Sequence, residues 1–141
     1  MSTEPAPSRN AALYGRVVNW DDIPEETVRP GVRRRVYSTD EIMIAWHSLD
    51  VGMALNPHSH ADFDQLVFIA EGVCDYHVAG TPHRMRAGSF LLVPAGAEHF
   101  VEPLEGPCVN IDYFVPPRAD FASALGWLSA APAGAGTPAP R

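Results

Sequence analysis

Gly52-Met-Ala-Leu-Asn-Pro-His58-Ser-His60-Ala-Asp-Phe-Asp64-Gln65, running on through Leu66-Val-Phe-Ile-Ala70 to Glu71-Gly72, decides how this chain is read. Side chains alternate with period two on an extended backbone, so His58 and His60 share a face if the stretch is a strand. Two imidazoles at i and i+2 can grip one metal ion, a spacing unlike the i, i+4 pair used on helices. The amide of Gln65 follows, and then the apolar run Leu66 to Ala70, which predicts a buried strand. Gly52 and Gly72 bracket the unit as turn residues. The plainer alternative is an exposed strand end with two ordinary histidines.

The rest of the composition narrows the function classes. A chain of 141 residues predicts one domain, with 46 % hydrophobic residues to build its core. Its formal charge is -7 and all ten basic residues are arginine, a poor balance for binding nucleic acid or an anionic membrane. No apolar run approaches the ~18 residues of a membrane span. The start, Met-Ser-Thr-Glu-Pro-Ala-Pro-Ser, lacks the basic and apolar regions of a secretory signal, so a cytoplasmic location is expected. Cys74 and Cys108 sit in no Cys-x-x-Cys pattern and read as reduced core residues, the sharper alternative being that one faces a metal cavity. Residues 1–12 are expected to be a flexible N-terminal segment, 13–128 the folded domain and 129–141 a disordered Ala/Pro/Gly tail.

Within the domain, short apolar runs alternate with turn residues. Strands are expected at Arg16–Trp20, Gly31–Tyr37, Ile42–Leu49, Leu66–Ala70, Val73–Val78, Arg84–Arg86, Ser89–Val93 (buried) and Phe100–Val101. A Pro/Gly turn at Pro103–Pro107 then leads into a last strand, Cys108–Val115. Asp120–Leu128 alone has helical spacing of its apolar residues and predicts a short C-terminal helix. The pattern is that of an all-β sandwich or barrel. In the last strand Val109, Ile111, Tyr113 and Val115 form a packing face, fit for a second sheet or a partner subunit. Cys108, Asn110, Asp112 and Phe114 form the opposite face, fit for a ligand cavity.

A second ordered signature is Gly88-x5-Pro94-x-Gly96-x2-His99. Together, Gly52, His58, His60, position 65 and Gly72, with Gly88, Pro94, Gly96 and His99, match the paired motifs of cupins, and the 15 residues between them resemble the spacing of small single-domain bacterial members. The resemblance covers roughly residues 40–118 and implies an RmlC-like jelly-roll β-sandwich or barrel holding one divalent metal ion in its mouth. The implied ligands are His58, His60, Gln65 and His99. Gln65 replaces the usual glutamate, and Pro103 the usual asparagine of the second motif. Three imidazoles and an amide leave the full charge of the ion uncancelled, which strengthens it as a Lewis acid and weakens its retention. Asp64 is a rival ligand, but it lies out of phase with the ligand spacing. Mn, Fe, Ni and Zn all suit such a set.

A narrower resemblance joins these ligands to Asp112-x-Phe114-x3-Arg118. The combination looks like the small cupins that ketonise unsaturated uronates released from pectin or alginate. It implies Asp112 as the proton carrier, Phe114 as a pocket wall and Arg118 as the anchor of a substrate carboxylate. The expected function is a metal-dependent isomerase or tautomerase of a small acidic, sugar-acid-like substrate. The alternatives are a non-haem iron dioxygenase and a cupin that binds a small ligand without turnover. A homodimer is implied by the family and by the apolar face of 109–115. His77 and His83 are expected to face solvent, His47 to be packed in the core or to stand behind the ligands, and Trp20, Trp46 and Trp127 to be core or interface anchors. Of Arg33, Arg34 and Arg35, alternation sets Arg34 apart; Arg33 or Arg35 is the candidate to meet an anion, against a default of a solvated edge.

Overall fold

A computed structural model describes residues 8–130. Seven strands carry the fold: β1 (Glu26–Arg29), β2 (Val32–Ser38), β3 (Met43–Leu49), β4 (Gln65–Val78), β5 (Thr81–Arg86), β6 (Phe90–Val93) and β7 (His99–Phe114). All pairings are antiparallel, in the order β1-β2-β3-β7-β4-β5, with β6 also paired to β4. Val32 of β2 and Met85 of β5, near opposite ends of that order, belong to one buried cluster with Val67, Ile69 and Cys108. The sheet must therefore fold over on itself, and the all-β cupin jelly roll expected from the motifs is the architecture found.

The two long strands depart from the expected outline. Gly72 ends nothing: β4 runs through it, from Gln65 to Val78. The proline-rich stretch 103–107 likewise stays inside β7. The strands are paired across both irregularities, with register shifts between Ile69 and Cys74. The effect is a change of parity. Gln65, Val67 and Ile69 point inward on odd numbers, and Cys74 and Tyr76 on even ones; across β7, His99 and Pro103 give way to Cys108, Asn110, Asp112 and Phe114. Gly72 has φ +83°, and a Cβ there would stand 2.6 Å from the carbonyl oxygen of Glu105 and 2.8 Å from the Cα of Cys108. Gly72→Ala is expected to destabilise the protein by at least about 2 kcal/mol, read from the urea midpoint at constant m. An unchanged midpoint would mean that the bulge relaxes freely.

Three other expectations are corrected. Arg16–Trp20 is not a strand; Asn19 caps a single 3₁₀ turn over Trp20–Asp22 in a reciprocal capping box with Asp22. The missed strand is β1, whose Glu26 pairs with Arg34. Strand β6 is not buried, because Phe90 and Leu92 are 64 % and 61 % exposed while Val93 alone is fully enclosed.

The C-terminal helix exists as a run of 3₁₀ turns, Ala119–Ser129. Phe121, Ala124 and Trp127 recur at the three-residue period that eclipses side chains in that geometry. Phe121 and Leu125 close one end of the barrel with Val36, Met43, Ala45 and Phe114, and Trp127 donates its indole N–H to the carbonyl of Val36 at 2.9 Å. Of the N-terminal segment expected to be flexible, residues 1–7 lie outside the described part. Ser8 caps a short helix, α1 (Arg9–Leu13), and the carboxylate of Asp40 accepts from the hydroxyl of Ser8 and the N–H of Arg9. At the other end, 131–141 of the expected tail lie outside the described residues. Among the described residues no helix is long and apolar enough to cross a membrane. Cys74 and Cys108 are free and fully buried in the core, not in the cavity wall.

Candidate metal centre

The inner face of the barrel is apolar at its closed end and polar toward its mouth. Arg34 on β2 is opposite His47 on β3, which is opposite Asn110 on β7, so one register row carries three polar side chains. Asp112 follows on β7, and Gln65 begins β4 beside it. Together they border a cavity of about 490 Å³, within the range of small-molecule sites.

His58, His60 and His99 meet at this cavity, with their candidate ligand nitrogens all within 4.8 Å of one another. His58 and His60 are not in a full strand. The segment is held extended by an isolated bridge, in which the N–H of His58 donates to the carbonyl of His99 at 3.1 Å and the N–H of His99 donates back at 2.8 Å. The N–H of Gly96 donates to the carbonyl of His60 at 2.7 Å. Thus the Pro94–Gly96 turn and the His58–His60 segment position each other, which is why both motifs are needed.

The ring nitrogens divide in the way a metal site requires. Nδ1 of His58 lies 2.6 Å from the carbonyl oxygen of Asn56, and Nδ1 of His99 lies 2.9 Å from that of Ala97. A carbonyl can only accept, so each Nδ1 carries the proton and each Nε2 is left with a lone pair. Among the described residues, Nε2 of His60 and of His99 are buried without a hydrogen-bond partner, as is Oε1 of Gln65. Burial, reinforced by the field of Arg118, pulls the pKa of His60 down to about 4, and burial lowers that of His99. His60 and His99 are therefore neutral near pH 7, the state in which an imidazole ligates. Orphaned buried acceptors converging on one point are costly unless a cation or donor fills it. The donor set fits a divalent ion.

Gln65 is 3 % exposed and donates from Nε2 to the hydroxyl of Tyr76 at 3.2 Å, which leaves Oε1 as its free acceptor. Asp64 is exposed and accepts the N–H of Ala95 at 2.8 Å, serving the Pro94 turn. Asp112 is 5 % exposed; burial raises its pKa to about 6, opposed by hydrogen bonds from Asn110, at 3.0 Å, and from Gln65. His47 stands beside it, Nδ1 to Oδ2 3.4 Å, but burial and the charge of Arg34 push the imidazole pKa down to about 3. The contact is therefore between a carboxyl group and a neutral ring, not an ion pair.

Two of the anticipated pocket residues sit differently. Phe114 has no exposure and does not line the cavity; it lies behind the wall, its ring edge-on to Phe63 at 5.2 Å and to Phe121 at 5.9 Å. The wall is Phe121, which the sequence reading took only as helix core. Arg118 does reach the cavity, with its guanidinium carbon 3.9 Å from the Phe121 centroid, but its fork is filled by Asp120, Nε to Oδ1 3.0 Å and Nη2 to Oδ2 2.5 Å. Tyr76 and Arg34 also line the cavity and were not anticipated. Arg33 and Arg35 face outward and pair with Glu25, Asp50 and Asp21, so the cavity-lining member of the trio is Arg34, the one alternation set apart. His83 is exposed as expected, whereas His77 is half-buried and stacks on Phe100 at 4.2 Å.

Comparison with known proteins agrees with this architecture. The family model of the AraC-like ligand binding domain matches residues 39–137. The pectin degradation protein KdgF of Dickeya dadantii is 29 % identical over 102 residues, covering 72 % of this chain and 93 % of that protein. The structure of KdgF from a Halomonas species superposes with a TM-score of 0.67 at 28 % identity, over 72 % of this chain and 94 % of that one. An RmlC-like cupin from Shewanella frigidimarina gives 0.68 at 26 % identity, over 74 % and 93 %. With the jelly roll, the two histidine motifs and the match over most of its length, this chain belongs to the AraC-like ligand binding domain family and is an RmlC-like cupin.

Proposed function

We propose that this protein is a metal-dependent isomerase that ketonises a small unsaturated sugar acid, with the ion held by His58, His60, His99 and Gln65. The observation that carries the reading is Asp112, a buried carboxyl with a pKa raised to about 6, lining the same cavity as His58 and His60, which group with His99. The ion, when bound, supplies Lewis acidity toward a substrate oxygen.

The chain's own residues account for the rest. Opening of the sugar's cyclic hemiacetal takes the proton from O1 and breaks the C1–O5 bond, leaving an aldehyde and an enol. In the enol the C4=C5 bond gives way to C5=O as a proton is delivered to C4. The net change is an isomerisation that needs a proton carrier and neither oxidant nor reductant. A carboxyl group whose pKa lies near the working pH both accepts and returns a proton readily. Asn110 and Gln65 hold Asp112 by donating to it, and the neutral ring of His47 offers it no counter-charge, which leaves only the weaker field of Arg118 against the effect of burial. Phe121 and Tyr76 border the cavity and restrict water around the carboxyl. The similarity to KdgF, a pectin degradation protein, supports an acidic sugar as the substrate.

The test is to mix metal-loaded protein with 4,5-unsaturated galacturonate and follow the alkene protons by NMR. Loss of the signal faster than in buffer, without oxygen uptake at an electrode, is the expected result. Oxygen uptake would point to a dioxygenase instead. The family's description as a ligand binding domain favours one other reading, capture of the sugar acid without turnover. Calorimetric binding with an unchanged NMR spectrum would establish it.

We also propose a homodimer, formed through the outer face. Of the four residues that suggested it, Val109 and Ile111 are already largely covered within the chain, whereas Val115 is exposed. A contiguous exposed apolar patch is formed by Leu66, Phe90 and Leu92, which adjoin on paired strands β4 and β6. Sedimentation at about twice the 15.3 kDa chain mass is expected, falling to one chain mass in the Phe90→Asp, Leu92→Asp double variant. A wild-type monomer would exclude the dimer.

A further inference from the structure

Of the three arginines that line the cavity, Arg34 has both terminal amino groups without a hydrogen bond among the described residues, whereas Arg29 gives one to the carbonyl of Ala54 at 3.5 Å and Arg118 one to Asp120. Arg34 projects inward from β2, between the buried Val32 and Val36, and its side chain is only 15 % exposed. Its Nε donates to Glu26 at 2.7 Å, while among the described residues its two terminal amino groups make no hydrogen bond. The guanidinium carbon lies 3.9 Å from the Phe121 centroid, a stack that fixes the plane of the group. Arg118 rests on the same ring at the same distance, yet the chain's own Asp120 already occupies two of its nitrogens. A carboxylate entering the cavity therefore finds the end of Arg34 open and the fork of Arg118 taken.

We propose that Arg34 is the residue that selects for a substrate carboxylate, docking it on its two terminal amino groups against Phe121. This rests on the reading of the substrate as a sugar acid and assigns the part of the site that recognises the acid. The geometry has the right span. Arg34 and Asn110 sit on the same register row with His47 between them, two strand spacings or roughly 10 Å apart. The arginine's own length plus one sugar ring bridges that distance. A carboxylate on Arg34 thus lays the ring across His47 with its far side at Asp112. Glu26, half-buried and paired through the Nε of Arg34 alone, competes for the same cation. Arg118 then acts as a neutralised neighbour that keeps Phe121 in place.

The experiment is calorimetric titration of metal-loaded protein with galacturonate and with galactose. Galacturonate lacks the 4,5 double bond, so its binding is read whether or not the unsaturated sugar is converted. Wild type is expected to bind galacturonate at least about tenfold more tightly than galactose, the least expected of a charge-assisted hydrogen bond. Arg34→Met keeps the stem packed on Phe121 and should bring that ratio close to one, with the near-UV circular dichroism and galactose affinity unchanged. Glu26→Gln removes the competitor and should raise the ratio. The assignment is overturned if Arg34→Met keeps the wild-type ratio, if Glu26→Gln lowers it, or if wild type does not distinguish the two sugars. Absence of alkene loss in a wild-type protein that shows the predicted binding pattern would remove the isomerase reading and leave Arg34 in its role.

Discussion

Replacing His99 by alanine is expected to abolish retention of the metal. Mass-spectrometric analysis of freshly purified H99A should find a small fraction of the wild-type metal content, and turnover should fall by more than about 10²-fold. Loss of a residue that merely orients a ligand already costs about 10–100-fold, and loss of the ligand exceeds that. The fold should survive, because the bridge that joins the segment carrying His58 to β7 runs through the main chain of residue 99 and not its ring. Circular dichroism like that of wild type, with the ion gone, is the expected combination. Full metal content in H99A would remove this histidine from the centre.

Asp112→Asn is expected to separate stability from activity. In the metal-free protein burial raises the pKa of the carboxyl group from its ordinary 3.8 to about 6. The folded state therefore holds its proton more tightly than the unfolded chain does. The stability tied to Asp112 is fully present below pH ~4, declines as pH rises through ~6, and stays lost at neutral pH. A gap of about 2 pKa units corresponds to about 3 kcal/mol, so at pH 7 metal-free D112N should be more stable than metal-free wild type by up to about 3 kcal/mol. At pH 4 the two should unfold together. Activity should move the other way, falling by about 10²–10⁴-fold, the range for loss of a general acid–base group. A variant that melts lower than wild type at pH 7, or that keeps its rate, would contradict the role given to this carboxyl.

How much of this could be read beforehand depended on whether local spacing survives folding. The His58/His60 and Pro94/Gly96/His99 offsets are short and lie on either side of one backbone bridge, so the grouping of the three histidines was legible. Asn110 and Asp112 were legible for the same reason, since both follow the irregular stretch of β7 and alternate normally after it. Tyr76 was not. Counting by twos from Gln65 sends it outward, and only the bulge at Gly72, opposite residues 105–107, returns it to the cavity. Arg34 was assigned correctly to the face opposite Arg33 and Arg35, but alternation says which residues share a face and not which face is inside. The signal lay in its neighbours: Val32 and Val36 share its parity and are plainly core residues. Strand β6 misled because Phe90, Leu91, Leu92 and Val93 form an unbroken apolar run, which looks the same whether the outer face meets a second sheet, another molecule or water.

The paired irregularities in β4 and β7 also bear on which changes of length the chain can absorb. Most loops of a β protein accept a residue more or less at little cost, but the stretch from Ala70 to Gly72 is a loop in neither shape nor tolerance. Deleting one residue there would rotate Cys74 and Tyr76 to the outside and put Asp75 and His77 in their places, one in the core and the other in the cavity wall. The opposite stretch, 103–107, sets the phase between His99 and Asp112 in the same way. One side holds the candidate ligand and the other the candidate proton carrier. Across these two short stretches the protein can vary its side chains, but its residue count is fixed by the need to keep both groups facing the same space.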